Sequence, residues 1–504
     1  MKRRGKNSPA IPASLAPLGH VKDITAGEVQ AIQETLNVNS IRELVAAISN
    51  GLLETVQGIT AVQIKNIKRA FKLYKTDDTR IPLWDARVAG QELLRIFAQF
   101  PEVEKVALTG SLRRCKDTVG DIDILIQATE ADRRKLLYKI SRMPQTESIV
   151  ATGPHHFCVV LRNQLQADIR LATRKHYGAS LLYYTGSVPY NQYLEKLAGD
   201  KGLRFGPLGL TDSQSGEYVA GEQETDIFRH LGIGYLDPEL REGYEEKTYA
   251  AFYQIPSLVT FNQLKGDMQI HTDWSDGTES IAAIARYLSH TFPHYQYIVI
   301  TDHVSGKRPN HVLPPEDLFR QAEEIDRINA LMGFDYIKKG LETDILENGA
   351  PELANDILLQ ADWVVASIHT DFARDNTDRL IRACEHPAVH CIGHPSGRMI
   401  GMRPPYPADW NAVFEAAART GTALEINSRP NRLDLNDALI HQAISRGVTL
   451  VINSDARTLS HFDFMKLGVS MARRGACSKR DILNTWSWND VEAFKAAKQR
   501  LAQQ

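Results

Sequence analysis

Apolar positions along the chain follow two periods, and the change of period predicts the elements. Between residues 21 and 85 they recur at helical spacing, as at Ile41, Leu44, Val45 and Ile48. A helix predicted over Val88–Phe100 is followed by short apolar runs. These runs predict strands over Val103–Thr109, Ile122–Ile126, Phe157–Leu161 and Gln166–Leu171.

In the second half, apolar strands alternate with helical stretches. The strands are predicted over Tyr297–Ile300, Trp363–Ser367, His390–Gly393, Ala423–Ile426 and Thr449–Ile452. A recurring strand-helix order favours a βα barrel with polar residues at the carboxyl ends of its strands. The fold class predicted for the whole chain is multidomain, α+β in the first half and α/β in the second.

The same patterns predict the domain boundaries. The segments are a flexible tail at 1–20, short helices at 21–85, a strand-rich core at 86–174, a mixed subdomain at 175–238, a charged linker helix within 239–262 and the βα domain at 263–504. Within the first helices, the turn Gln57-Gly58-Ile59-Thr60 indicates a helix-hairpin-helix in which Thr60 replaces the second glycine. Such a hairpin can present backbone N–H groups to a phosphate.

Composition narrows the class of protein. The chain has 504 residues, 43% hydrophobic and 24% charged, which is typical of several globular domains. No apolar run reaches the ~18 residues of a membrane span, so we expect a soluble, unexported, cytoplasmic protein. Five scattered cysteines give no disulfide framework.

The net charge is only -2, so any grip on nucleic acid must come from a local basic patch. The candidate patch consists of Lys65, Lys68, Arg69, Lys72 and Lys75. A solvated helix face is the alternative interpretation of this run.

Three aspartates indicate a phosphoryl-transfer site. Asp121 and Asp123 are two residues apart at a predicted strand, and Asp168 lies on a later strand that can run alongside. Clustered carboxylates repel one another unless divalent cations lie between them, and two cations about 4 Å apart suit in-line phosphoryl chemistry. Ser111 and the backbone after Gly110 can hold phosphate oxygens, and Arg114 can offset the charge of a leaving pyrophosphate.

A second set of polar residues follows the strands of the second half, where a barrel would gather them at one mouth. Histidine and carboxylate ligands there suit Zn²⁺ or Mn²⁺. The candidate ligands are His271, Asp276, His303, Glu342, His369, His394 and Asp455.

Taken in order, the string Gly110-Ser111-Leu112-Arg113-Arg114, the Gly120-Asp121-Ile122-Asp123 motif and Asp168 resemble the family X DNA polymerases that carry a C-terminal PHP domain. The string Tyr183-Tyr184-Thr185-Gly186-Ser187 is similar to the Y-F-T-G-S of that family. The resemblance implies that Tyr183, Tyr184 and Gly186 pack against the sugar of the incoming nucleotide and that Asn191 contacts its base.

The resemblance also implies a helical fingers region, a nucleotidyltransferase palm, a thumb-like subdomain and a distorted PHP barrel. The implied activity is addition of deoxynucleoside triphosphates to a DNA 3′ end in repair, with Mg²⁺ or Mn²⁺ bound by Asp121, Asp123 and Asp168. The expected partners are DNA, as primer-template or gapped substrate, and no membrane; the expected state is a nucleoid-associated monomer.

The chain departs from the family pattern on the polymerase side. The resemblance begins at the fingers, so the small domain that grips a downstream 5′ phosphate is expected to be missing. Glu195 stands where the family has an arginine that contacts the template strand, and Phe205-Gly206-Pro207-Leu208-Gly209 replaces L-N-E-Y-G. A carboxylate facing a phosphate-rich groove weakens DNA binding.

The PHP half departs at two ligand positions. In the family a trinuclear site hydrolyses phosphoesters and gives 3′ to 5′ exonuclease activity, but here Gln269 replaces the first histidine of H-x-H and Arg457 the histidine of D-x-H. A guanidinium carries a fixed positive charge, so at least one metal ion should be lost or weakened. Arg457 could instead bind phosphate or be a remnant of a lost site, and His461 could substitute as a ligand.

Two other functions remain open. In one, the PHP half is the main activity, as an exonuclease or phosphatase. In the other, both halves bind DNA ends or a partner protein, as the altered ligand set suggests.

Overall fold

The structure is a computed structural model that describes residues 12, 15, 18, 21, 24–39, 43–44, 47–48, 52–71, 80–153, 155–163, 165–243, 256–305 and 311–501. The side chains of residue 65 and of residues 68–71 also lie outside the description, so the basic patch predicted over Lys65 to Lys75 stays a prediction. The chain divides into two compact units, Met1–Tyr253 and Gln254–Gln504, and each is described by itself.

The first unit begins with short helices whose ends are fixed by side chains. Thr25 caps α1 (Ala26–Leu36) in a reciprocal box with Glu28. Thr60, the residue in place of the hairpin glycine, caps α2 (Ala61–Phe71), since its Oγ1 accepts from Gln63 N at 3.2 Å. Of the predicted helical positions before residue 50, Leu44 and Ile48 are helical, and Ile41 and Val45 lie outside the described residues.

A five-stranded sheet follows, in the order β2-β4-β7-β6-β5. Only β4 and β7 run parallel, and Asp123 pairs directly with Asp168. Ile122, Ile124 and Ile126 alternate along one face of β4 and are fully buried, which fixes the register. The strands are β2 (Lys105–Leu108), β4 (Ile122–Gln127), β5 (Thr146–Thr152), β6 (His156–Leu161) and β7 (Gln166–Ala172).

The remaining elements of this unit pack around that sheet. The helix predicted from Val88 begins earlier, at Leu83, because its first turn already packs into the core. A small sheet in the order β10-β9-β8 closes the unit. The elements are β1 (Ile81–Pro82), α3 (Leu83–Phe97), α4 (Gly110–Arg113), β3 (Thr118–Val119), α5 (Arg133–Ser141), α6 (Tyr177–Thr185), α7 (Val188–Gly199), β8 (Leu203–Gly206), β9 (Gly209–Asp212), β10 (Tyr218–Ala220) and α8 (Glu224–Leu231).

Two sequence predictions differ from the structure here. Leu15 and Leu18 are fully buried in a hydrophobic cluster with Val29 and Ile32, so these two positions of the predicted flexible tail are packed. The predicted linker helix is wrong in its described part, because 238–240 forms a single 3₁₀ turn and Arg241 is completely buried. An ion pair with Glu224 compensates the Arg241 charge, so Arg241 belongs to the packed interior of the first unit.

The second unit is a parallel sheet of seven strands in sequential order, β11 to β17. Every strand residue but two is buried, which is typical of a parallel sheet covered on both faces. The strands are β11 (Gly266–Ile270), β12 (Tyr297–Ile300), β13 (Ile337–Asp344), β14 (Trp363–Ser367), β15 (Cys391–Ile392), β16 (Ala423–Asn427) and β17 (Leu450–Asn453). The helices are α9 (Ile281–Thr291), α10 (Leu318–Met332), α11 (Asn355–Leu358), α12 (Thr377–Glu385), α13 (Trp410–Thr420), α14 (Asp437–Ser445), α15 (Met465–Arg474) and α16 (Trp488–Leu501).

The sheet curls into a nearly closed barrel whose first and last strands are joined mainly by side chains. Asn484 Nδ2 donates to Gly266 O at 2.8 Å and to Ile452 O at 2.6 Å. Just beyond these strands, Ile270 and Ala456 form a single parallel bridge. The seven strands therefore gather their carboxyl ends at one mouth, as the strand-helix pattern predicted.

No helix in the described part of the chain is both long and apolar enough to cross a membrane. All five cysteines are buried and free.

Candidate functional site

The first unit brings three carboxylates together at one end of its sheet. Asp123 on β4 and Asp168 on β7 are direct partners, and Asp121 lies two residues before Asp123, just ahead of β4. One carboxylate oxygen from each lies within 4.8 Å of the others. Burial, together with repulsion from Asp121 and Asp168, raises the pKa of Asp123 well above its ordinary value. These donors are the hard oxygen ligands that Mg²⁺ and Mn²⁺ prefer, so they fit a divalent cation.

Asp168 has neighbours that the sequence analysis did not single out. His156 Nε2 on the adjacent strand β6 lies 3.5 Å from Asp168 Oδ2, and Gln166 Nε2 donates to Oδ1 at 3.0 Å. Burial alone would raise the pKa of Asp168, but His156, Gln166 and the charge of Arg170 outweigh it and the pKa is lowered. The two strand-paired aspartates therefore differ electrostatically although they lie side by side.

A cavity of about 930 Å³ opens beside Asp121 and Asp123. It is lined by every residue that the sequence analysis assigned to nucleotide binding, together with basic and acidic neighbours. The lining comprises Arg80, Gly110, Ser111, Arg114, Lys116, Asp117, Thr118, Gly120, Asp121, Asp123, Tyr183, Tyr184, Thr185, Gly186, Ser187, Val188, Asn191, Gln192 and Glu195. Asp168 belongs to the carboxylate cluster and not to this lining.

Arg114, on the cavity wall, is held by the protein itself. Its Nε donates to Glu242 Oε1 at 2.9 Å, and its Nη1 donates to Thr185 O. Lys116 lies 3.7 Å from the other oxygen of Glu242. A pyrophosphate at this wall would therefore compete with the Glu242 carboxylate, a residue that the sequence analysis had placed in a linker.

The neighbouring Arg113, at the end of α4, is bound by a buried carboxylate. Its Nη1 and Nη2 donate to Glu224 at 2.8 and 2.7 Å, and Arg241 Nη1 donates to Glu224 Oε1 at 2.7 Å. Glu224 begins α8, more than a hundred residues after Arg113. One buried carboxylate thus joins the end of α4 to the start of α8 and to Arg241.

Aromatic rings form another wall of the cavity. Tyr183 and Tyr184 meet edge to face with ring centroids 5.6 Å apart, and the guanidinium of Arg170 lies over Tyr184 at 4.4 Å. Asn191 Nδ2 donates to Tyr183 O at 2.8 Å, while its Oδ1 is buried without a hydrogen-bond partner. A base or sugar entering the cavity can supply that missing partner.

At the barrel mouth of the second unit, Glu342 is shared by two clusters of metal-competent side chains. One cluster contains His271 and His303, and the other contains His369 and His394. Glu342 Oε1 lies 3.7 Å from His369 Nε2 and 3.6 Å from His394 Nε2, and it has no hydrogen-bond partner although it is buried. The residue lies on β13, so the third of the seven strands supplies the carboxylate that both clusters share.

The second of these clusters fits a metal ion by its chemistry. Asp344, two residues beyond Glu342, lies 2.7 Å from His369 Nδ1 and thereby turns Nε2 toward Glu342; such a carboxylate partner is common behind histidine ligands. Burial lowers the pKa of His394 to about 3, so its imidazole is neutral as a ligand must be. His394 also has a φ of 29°, a strained backbone of the kind found at functional sites.

Three of the predicted ligands, His303 of the first cluster and the two aspartates, contact an arginine. Arg457 Nε donates to Asp276 Oδ2 at 2.5 Å, its Nη1 contacts Asp455 Oδ1, and its Nη2 lies 3.2 Å from His303 Nε2. His461 does not replace the missing ligand, because its Nδ1 accepts from the backbone N–H of Arg457 at 3.3 Å. The seven predicted ligands thus meet at one mouth, but a guanidinium lies among three of them.

Comparisons with known proteins found relatives that match both halves of the chain. The family model of the DNA polymerase beta thumb matches residues 180–242. DNA polymerase/3′-5′ exonuclease PolX of Bacillus subtilis is 33% identical over 491 residues, covering 96% of this chain and 85% of the Bacillus protein.

Two shorter matches fall on other proteins. A probable phosphatase of Syntrophotalea carbinolica is 37% identical over 98 residues, which are 18% of this chain and 38% of the phosphatase. DNA-directed DNA/RNA polymerase mu of Homo sapiens is 30% identical over 118 residues, which are 23% of this chain and 24% of the polymerase.

The match to the Bacillus protein runs through both units, so it bears on the whole molecule and not on one domain. Its extent, and not the shorter matches, decides the family. The chain belongs to the family X DNA polymerases of the PolX type, in which a PHP-type domain accompanies the polymerase.

Proposed function

We propose that the first unit adds deoxynucleotides to a DNA 3′ end, with Asp121, Asp123 and Asp168 as the ligands of two Mg²⁺ or Mn²⁺ ions. The observation that carries this proposal is the convergence of the three carboxylates within 4.8 Å beside a cavity of about 930 Å³. In this proposal residues 21–85 are the fingers, the five-stranded sheet is the palm and residues 175–238 are the thumb.

The reaction joins the primer 3′ oxygen to the α-phosphorus of the incoming nucleotide and breaks its bond to pyrophosphate. When bound, the two ions activate the primer hydroxyl and neutralise the triphosphate. Asp123 is buried beside two other carboxylates, so a cation next to it would stabilise its ionised form. Asp168 is oriented by His156 and Gln166 and is ionised before any cation arrives.

The cavity wall orients the nucleotide. Ser111 and Gly110 lie beside the carboxylates. Arg114 can bind the pyrophosphate once its ion pair with Glu242 is broken. Tyr183 and Tyr184 offer an aromatic surface to the sugar, and the unsatisfied Oδ1 of Asn191 offers an acceptor to the base.

The test is primer extension by the full chain with labelled deoxynucleotides and Mn²⁺ or Mg²⁺. A one-nucleotide gap, an open primer-template and a bare single strand are compared in parallel. We expect extension by the unchanged protein and by Asp200→Asn, an exposed carboxylate at the end of α7, and none by Asp123→Asn. Extension by Asp123→Asn at the unchanged rate would refute the assignment, and no extension of any DNA by the unchanged protein would refute the activity.

A second candidate function is phosphoester hydrolysis in the PHP barrel, as a 3′ to 5′ exonuclease or phosphatase. The cluster of Glu342, His369 and His394 favours it, because its ligand atoms converge, Glu342 Oε1 is buried without a hydrogen-bond partner, and two imidazoles with a carboxylate fit Zn²⁺ or Mn²⁺.

This activity is separable from nucleotide addition. In an Asp123→Asn background, degradation of a 5′-labelled oligonucleotide should disappear with His369→Ala and persist with His290→Ala, an exposed histidine on α9. Degradation that survives His369→Ala would exclude the barrel as its source.

A further inference from the structure

Arg457 lies among carboxylate and imidazole side chains at the barrel mouth. It follows β17 by four residues and contacts side chains delivered from three places along the chain. Its Nε donates to Asp276 at 2.5 Å, its Nη1 pairs with the Asp455 side chain and also donates to Asp455 O at 3.0 Å, and its Nη2 lies 3.2 Å from His303 Nε2.

Two carboxylates and an imidazole are the donor set of a divalent metal ion. Here each of them faces a nitrogen of one guanidinium instead. An arginine side chain keeps its proton at every pH at which the protein is folded, so this positive charge is permanent and covalently attached. A metal ion at the same place would have to displace the guanidinium from both carboxylates and then lie next to it.

Gln269 supports the same arrangement from the other side of Glu342. Its Nε2 donates to Glu342 Oε2 at 3.2 Å. The other oxygen, Oε1, then faces His369 and His394 and has no hydrogen-bond partner. Oε2, which accepts from Gln269, is the oxygen that faces His271 and His303, at 3.5 and 3.3 Å. The amide therefore occupies the oxygen on the side of the first cluster and leaves only the oxygen on the side of His369 and His394 without a partner.

We propose that Arg457 is a built-in cation that replaces metal ions among Asp276, Asp455 and His303, and that the mouth of this barrel binds a single divalent ion tightly, at Glu342, His369 and His394. The chain thus departs from the three-ion arrangement implied by its resemblance to PHP domains.

The same geometry argues against Arg457 as a phosphate ligand. Its nitrogens are directed at Asp276, Asp455 and His303, and a phosphate approaching the guanidinium would meet the two carboxylates that already neutralise it. Arg457 therefore serves the protein and not a substrate.

The experiment counts metal ions per chain. Full-length protein carrying Asp123→Asn, which removes the polymerase cluster from the count, is loaded with Zn²⁺, dialysed against metal-free buffer and analysed by inductively coupled plasma mass spectrometry. We expect one Zn²⁺ per chain, and none after the further change His394→Ala. Two or three tightly held ions in the chain with Arg457 would overturn the proposal, and so would retention of Zn²⁺ by His394→Ala.

The gain-of-function variant is Arg457→His combined with Gln269→His, which removes the cation and supplies two imidazoles. We expect it to hold at least one more Zn²⁺ and to melt at a higher temperature with Zn²⁺ than without it. Arg419→His is the control, because it places a histidine at an exposed position of α13 while leaving Arg457 in place; its count should stay at one. A folded double variant with no added ion would contradict the role of Arg457, and the count for the unchanged mouth tests the proposal even if the variant fails to fold.

Discussion

Gly110 leaves no room for a side chain beside Asp123. A Cβ atom on Gly110 would lie 1.9 Å from Oδ2 of Asp123, and the backbone has a φ of 60° that disfavours other residues. Gly110, the first residue of α4, thus lies directly against one of the proposed metal ligands, and any side chain at this position must displace Gly110 or Asp123.

We therefore predict that Gly110→Ala lowers the rate of nucleotide addition by about a hundredfold or more, because displacements near 1 Å in an active site have costs of that order. Single-turnover primer extension measures this rate. Gly199→Ala is the control, since Gly199 has open space around it and lies in the last turn of α7. A Gly110→Ala protein as fast as the control would show that the close approach does not matter.

Glu195 is an exposed carboxylate on the cavity wall. We predict that Glu195→Gln tightens binding of primer-template DNA about twofold to fivefold at low salt, since exposed charge interactions contribute about 0.2–1 kcal/mol. The gain should shrink at high salt, where the repulsion is screened. Fluorescence anisotropy at several salt concentrations measures it, with Glu217→Gln, an exposed residue between β9 and β10, expected to change little. Weaker binding by Glu195→Gln would instead mean that Glu195 contacts the substrate favourably.

Glu224 neutralises two arginines from within the protein. Its two oxygens accept from Arg113 and Arg241, and Arg241 is completely buried. Glu224→Gln leaves that charge uncompensated, so we predict that the free energy of unfolding of the first unit falls by about 3 kcal/mol. Urea denaturation measures the loss. Glu222→Gln, an exposed neighbour, should leave the stability unchanged, and an equal stability of both variants would refute the prediction.

The same carboxylate makes stability depend on pH. Burial opposes ionisation of Glu224, but hydrogen bonds and charges of Arg113 and Arg241 outweigh it and lower the pKa from 4.5 to about 2. Because the folded pKa is below the unfolded one, this stabilisation is present above pH 4.5 and is lost as the pH falls from 4.5 toward 2. Melting temperatures over this range should fall more steeply for the unchanged chain than for Glu224→Gln. Parallel curves would exclude Glu224 as their cause.

Asp344 should act on metal affinity through His369. We predict that Asp344→Ala weakens Zn²⁺ binding at the barrel mouth about 10- to 100-fold, the usual effect of losing a carboxylate behind a histidine ligand. Titration with a competing chelator in the Asp123→Asn background measures it. Asp356→Ala, at an exposed position of α11, is the control, and an unchanged chelator midpoint in Asp344→Ala would contradict the role assigned to Asp344.

Local patterns in the sequence were sufficient to predict the position of a residue when that position depends only on the strand that contains it. The strands predicted from Ile122 and Gln166 form and pair, and their alternation places Asp123 next to Asp168. The seven-stranded parallel sheet likewise follows from buried runs between helices. In these cases the pattern of buried residues repeats within a few positions, so it can be recognised directly in the sequence.

What the sequence could not predict depends on partners far along the chain. His156 lies beside Asp168, Glu242 holds Arg114, and Arg241 is buried against Glu224. No period or motif marks these pairs. Asp344 does carry a signal in the sequence, because it follows Glu342 at the spacing that puts both side chains on one face of β13.

The seam of the barrel bears on how the second unit is made. Asn484 joins the carbonyl of Gly266 to that of Ile452, and Lys265 N donates to Asn484 O at 2.7 Å. During synthesis on the ribosome, β11 emerges more than two hundred residues before Asn484, the residue that links it to β17. Until then the first strand has one open edge and an unpaired row of backbone groups. Contacts this distant in sequence are slow to form, so β11 keeps this open edge until the segment that contains Asn484 has been synthesised.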